Sequence, residues 1–186
     1  MSLIGWPFID RKGLKLRRNS AELGTRAAVV RKATRADTEE IIDLIVGLAK
    51  FERLRPPDRD ARIRLVEDIF DKRLVNVLVA QVSKKLAGYA LYFYTYSSFL
   101  AQPSLFLEDI FVREENRGEG IGEALFRRCI DEAYRHGCGR MNWEVLDWNR
   151  KARRFYENFG AKMVDDMRLF RLDEKSLMKL ARKSNG

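Results

Sequence analysis

The chain has 186 residues, 46% of them hydrophobic, which is enough for one globular domain with a full core and leaves little room for a second. Its two cysteines, Cys129 and Cys138, and its single histidine, His136, lack metal-ligand or CxxC spacing, so no metal centre or disulfide framework is expected and a reducing cytoplasm is the expected setting. Of the net charge of +9, four units fall in residues 1 to 26, three in residues 179 to 186, and two in everything between; without an aromatic-interleaved basic stripe this excludes nucleic acid as a partner, and the lack of any apolar run of about 18 residues excludes a membrane-spanning helix.

Residues 1 to 26 mix Gly, Pro, Arg and Asn without a sustained period and are expected to form a flexible extension. From Ala27 the pattern is orderly. "AAVVRKA" is a short β-branched run, followed by a helix through "TRADTEEIIDLIVGLAKFE", with Thr34 or Asp37 as cap and Ile41, Leu44, Ile45 and Leu48 on one face. After Pro56 and Pro57 a second helix places Ile63, Val66, Ile69 and Phe70 together. "LVNVLVAQV" and "LAGYALYFYTY", joined by "SKK", form an antiparallel pair, with "SLFLEDIFV" as a third strand. A helix over residues 120 to 136 has Ile121, Leu125, Cys129 and Ala133 on its apolar face, and His136 ends it before Gly137. Strand "RMNWEVL", helix "NRKARRFYENF" closed by Gly160, and a last strand "MRLFRLD" complete the chain. The expected domain runs from 27 to 180, with 181–186 as a tail.

The segment "RGEGIG", residues 117 to 122, separates a strand ending at Val112 from the amphipathic helix. Backbone amides in such a turn, together with a helix N-terminus, form a concave anion site, and glycine lets a phosphate oxygen approach the main chain. A P-loop requires Lys and Ser/Thr after its last glycine, where this chain has Glu123 and Ala124; a dinucleotide fingerprint requires a third glycine in register, which neither Gly118 nor Gly120 supplies.

The remaining pattern, Arg117-x-x-Gly120-x-Gly122, resembles the acetyl-CoA pyrophosphate loop of the GNAT N-acetyltransferase superfamily. The resemblance runs from about Val29 to Lys179 and includes "VVRKATRAD", "FLEDIFV" and "WEVLDWNRKARRFYENFGA". Within the superfamily, "YFYTYSSF", "FLEDIFV" and "VLDWN" resemble the spermidine/spermine and thialysine acetyltransferase group. It implies an α/β fold with a mixed, mostly antiparallel sheet of about seven strands flanked by helices. It also implies transfer of acetyl from acetyl-CoA to a small-molecule primary amine by direct attack in a ternary complex. Members of this branch are usually homodimers, so a homodimer is expected. Two other functions share the cofactor motif: acetylation of a protein N-terminus or lysine, and non-catalytic acyl-CoA binding.

An amine with a pKa near 10.4 is neutral in only about one molecule in 2,500 at pH 7, so a carboxylate that draws in the ammonium and accepts its proton is useful. Adjacent on a strand, Glu108 and Asp109 are expected to point to opposite faces. The resemblance makes Glu108 the substrate anchor and proton acceptor, with Asp109 and Phe99 in the substrate region. Tyr156, with an ordinary pKa near 10, stays protonated at neutral pH, and the resemblance makes it the acid that protonates the departing thiolate and a neighbour of the cofactor. Ile110, Phe111 and Val112, then Arg117, Gly118, Glu119, Gly120, Ile121 and Gly122, and finally Asn149 correspond to the cofactor contacts. Where polyamine members carry an acid and a tryptophan, this chain has Ser97, Ser98 and Phe99, which favours the thialysine-type branch.

Overall fold

The central strands of this protein are near-continuous apolar runs because they are covered on both faces. The computed structural model describes residues 28 to 183; the expected N-terminal extension and the last three residues of the expected tail lie outside them. Strand β1 (Val29–Lys32) leads through a 3₁₀ turn at Arg35–Asp37 into α1 (Thr38–Glu52), followed by α2 (Arg59–Phe70). Strands β2 (Asn76–Val82), β3 (Lys85–Ser97) and β4 (Gln102–Val112) come next, then α3 (Ile121–Arg135), β5 (Arg140–Trp143), α4 (Arg150–Glu157) and α5 (Glu174–Lys183).

The sheet order is β1-β2-β3-β4-β5, with antiparallel pairing from β1 through β4. Tight turns suffice for β2-β3-β4, whereas β5 joins β4 after the crossover through α3. Alternation along the strands sorts the core into two layers. Val77, Val79, Tyr89 and Leu91 pack with Ile41 and Leu44 of α1 and Ile69 of α2. Leu78, Ala90, Tyr92, Leu105 and Leu107 point the other way, where α3 buries Ile121, Leu125, Phe126, Cys129 and Ala133. Each fully buried leucine contributes roughly 1.5 to 3 kcal/mol. Gly88 sits in the tightest place of the sheet: a Cβ there would stand 2.5 Å from the carbonyl oxygen of Phe111.

Both expected cap residues of the first helix act, though not as alternatives. Asp37 Oδ2 accepts from Thr34 N (2.7 Å) and Thr34 Oγ1 (2.9 Å), closing the 3₁₀ turn, and α1 starts one residue later. The same carboxylate receives two 2.7 Å hydrogen bonds from Arg31 of β1, which hold its pKa down at about 2. Asp58 caps α2 through Ala61 N. His136 stands at the C-cap of α3, its ring stacked on Tyr94 with centroids 3.7 Å apart.

The chain divides into two compact units, the first ending at Asn142 and the second beginning at Trp143. Among the described residues the sheet has five strands where about seven were expected. The expected last strand is absent: residues 167–173 make no strand pairing, and β5 stops at Trp143. "MRLFRLD" has strand composition, but a strand exists only where a ladder satisfies its amides, and Met167, Leu169, Phe170 and Leu172 are exposed. Helix α5 follows instead, capped by Asp173 through Ser176 N.

Candidate active site

The acidic part of the site is made by an irregularity in β4. Opposite β3 the register runs Leu91↔Asp109 and then Tyr92↔Leu107, so Glu108 is an extra residue and Glu108 and Asp109 together oppose Leu91. Such a bulge breaks strict alternation and re-aims side chains. The bulge removes the strict alternation on which the expectation of opposite faces rests, and the charge of Glu108 acts on the carboxyl of Asp109.

Asp109 shares a face with Tyr89, whose hydroxyl donates to Asp109 Oδ2 at 2.9 Å. Although the residue as a whole keeps some surface, its carboxyl lies deep enough that burial, opposed by the Tyr89 bond and reinforced by Glu108 and Glu52, pushes its pKa up to about 6. Burial also raises the pKa of Glu52, at the end of α1. Tyr89, fully buried, is raised well above the ordinary phenol value by burial first and the Asp109 carboxylate second. Glu108 itself is exposed. Residue patterns alone did not identify Glu52 or Tyr89. Glu52 reads as the polar end of an amphipathic helix and Tyr89 as strand core, and only the packing of α1 and the cross-strand register bring both to Asp109.

The glycine segment follows on the same unit. Arg117 donates Nε to Val112 O at 3.0 Å, and its guanidinium lies 5.1 Å from the ring centroid of Phe51 and 5.6 Å from that of Phe111. Gly118 and Gly120 have φ of 86° and 78°, in the left-handed region that disfavours other residues, and open space surrounds both. Gly120 is the N-cap of α3, and no side chain caps that end, so first-turn amides remain for a ligand. Glu119 is exposed, Ile121 is buried in the core, and Gly122 lies against Val112. Ile110, Phe111 and Val112 pair with Ala90, Tyr89 and Gly88. Exposed glycine amides, a helix N-terminus and a fixed guanidinium suit a diphosphate.

Phe99 stands apart from the acids. It is fully exposed in the β3–β4 turn, about 20 Å along the hairpin from the Leu91–Asp109 pair at roughly 3.3 Å per residue. Asn149 and Tyr156 belong to the second unit. Asn149 Oδ1 accepts from Ala152 N at 3.1 Å and caps α4. Tyr156 is buried, 4.9 Å from the Trp143 ring and 5.1 Å from that of Phe155.

Comparison with known proteins agrees with this architecture. The profile of the Acetyltransferase (GNAT) family matches residues 39–161. The thialysine N-epsilon-acetyltransferase of Sus scrofa is 30% identical over 169 residues, covering 84% of this chain and 99% of that protein. An L-ornithine N5-acetyltransferase of Arabidopsis thaliana is 42% identical over 92 residues, covering 50% of this chain and 40% of that one. Among solved structures, an integron cassette protein of V. cholerae superposes with a TM-score of 0.71 at 21% identity, covering 83% of this chain and 98% of its own. The chain belongs to the GNAT family of N-acetyltransferases.

Proposed function

We propose that this protein transfers acetyl from acetyl-CoA to the primary amine of a small lysine-like molecule of the thialysine or ornithine type, with polyamines as the neighbouring substrate class. The carrying observation is the Asp109 carboxyl, bonded by Tyr89 beside the Glu108 bulge and subject to the charges of Glu108 and Glu52, on the same unit as the Arg117 glycine loop. Several carboxylates at one place suit a cationic acceptor. The two enzymes named above act, by their names, on amino acids bearing a second amine, and the serines at 97 and 98 fit that branch.

In this reading acetyl-CoA supplies an activated thioester. Arg117 and the amides of Gly118 to Gly122 hold its diphosphate. Backbone groups of Ile110, Phe111 and Val112 line the pantetheine arm, and Asn149 adds a polar contact. Glu108 and Asp109 anchor the substrate ammonium, and Glu108 takes its proton, directly or through water. The freed lone pair attacks the thioester carbon in the ternary complex, forming the C–N bond. The C–S bond then breaks, Tyr156, still protonated at neutral pH, gives its proton to the departing thiolate, and the second proton of the attacking nitrogen leaves to solvent or to the Tyr156 phenolate, so that a neutral amide and a free thiol result.

The protein acts as a homodimer in this proposal, which is supported by the exposed Phe99, Met167, Leu169 and Phe170. Sedimentation equilibrium tests it, and a monomer at micromolar concentration would refute it. Its two free thiols suit the reducing cytoplasm.

The decisive test is thiol release from acetyl-CoA with thialysine, ornithine, lysine, spermidine, a Ser/Ala N-terminal peptide or no acceptor, comparing wild type with Tyr156→Phe. Turnover with a lysine-like amine, reduced at least ~10-fold in the variant, supports the assignment. Turnover of the peptide alone would transfer the protein to the protein-acetylating class, and CoA binding without turnover would leave a binding module.

A further inference from the structure

We propose that Phe51 and Phe111 form an aromatic clamp that positions Arg117 for the cofactor's diphosphate, making Phe51 a positioning residue for cofactor binding. The inference rests on the cofactor reading of the glycine segment and adds to it a residue on α1, outside the recognised motif.

Three elements build the clamp. Phe51 lies in the last turn of α1, which ends where Arg53 adopts a left-handed conformation. Phe111 lies at the end of β4, two residues beyond Asp109. Arg117 follows the short 3₁₀ turn Glu114–Asn116, and its amide donates to Glu114 O at 3.2 Å. The guanidinium is within cation–π reach of both rings, and Nε is engaged by Val112 O. Among the described residues its terminal nitrogens have no acceptor, so the fork that binds a diphosphate remains available.

Phe111 can occupy this place because Gly47 has no side chain. A Cβ at Gly47 would stand 3.0 Å from Phe111 Cε1, closer than nearly all real contacts. The helix thus admits one ring at Gly47 and supplies the other one turn later at Phe51. An exposed arginine ordinarily loses rotamer freedom when it binds an anion, and a side chain already held against two rings loses less. The rings also shield one side of the cation from water, which strengthens its attraction for phosphate.

Titration calorimetry with CoA, run on wild type, Phe51→Leu and Phe51→Tyr, tests the clamp. Leucine preserves apolar bulk at this partly exposed position without a π face, and tyrosine restores the face. Phe51→Leu should weaken CoA binding by about three- to tenfold and Phe51→Tyr by less than about twofold. In a parallel assay, Phe51→Leu should lose a similar factor in kcat/KM with acetyl-CoA and less than about twofold with S-acetylpantetheine, which lacks the diphosphate. Unchanged CoA affinity in Phe51→Leu, or equal losses with both thioesters, would overturn the clamp. A wild-type protein that fails to bind CoA would remove the cofactor reading itself and the clamp with it, before any variant is compared.

Discussion

The hydroxyl of Tyr89 donates a 2.9 Å hydrogen bond to Oδ2 of Asp109 diagonally across the β3–β4 ladder, since Tyr89 itself pairs with Phe111 and Asp109 with Leu91. This bond favours the charged carboxylate and opposes the burial that raises its pKa to about 6. Tyr89→Phe should therefore move the Asp109 ionisation upward. If Asp109 anchors the ammonium, the KM for the amine rises as pH falls through about 6 in wild type and at a higher pH in the variant. A KM–pH profile with the same inflection in both proteins would remove Asp109 from the site.

The same group predicts how stability varies with pH. A carboxyl whose folded pKa is raised binds its proton more tightly in the native state, so its contribution to stability falls as pH rises from about 4 to about 6. Asp37, held at about 2, has the opposite sign: its stabilisation is complete above about pH 4 and is lost as pH falls toward 2. Asp37→Asn should cost roughly 2 to 4 kcal/mol at pH 7, because it strips a paired arginine and a capping box at once. Urea titrations at pH 3 and 7 check this: the gap between wild type and variant should shrink at the lower pH.

Glu52→Gln removes a negative charge that acts on both Asp109 and Tyr89. The Asp109 ionisation should shift down, and the KM for a dicationic acceptor should rise about three- to tenfold while acetyl-CoA KM changes little. Carbon-detected NMR titration of the Asp109 carboxyl checks the first expectation and steady-state kinetics the second. An unchanged acceptor KM would place Glu52 outside the substrate region.

Gly88→Ala tests the close approach of β3 and β4. A Cβ would meet a backbone oxygen at 2.5 Å, with Val112 and Leu125 side chains within 3.3 Å, and a ladder carbonyl cannot rotate aside. The expected loss is about 1 to 3 kcal/mol, seen as a lower denaturation midpoint. A variant as stable as wild type would show that the ladder shifts more easily than its register suggests.

Periodicity made α1, α2, α3, α4 and strands β1 to β4 legible, because each element has a one-sided or continuous apolar pattern that only one secondary structure can bury. It failed at "MRLFRLD", where alternation describes a segment able to form a strand but says nothing of whether a partner strand is present. It also missed α5, whose amphipathic pattern was overshadowed by that expected strand.

The sequence by itself determined the family and the conformation of the glycine segment, because Gly118, Gly120 and Arg117 act through local backbone geometry and spacing over a few residues. It also determined that Asn149 caps a helix, another local property. Tertiary structure alone decided that Glu108 falls in a bulge, that Tyr89 bonds Asp109, and that Arg117 lies over Phe51. These contacts link residues far apart in the chain. Strand register and helix packing depend on the whole core, and a one-residue change in β4 re-aims the side chains that carry the charge.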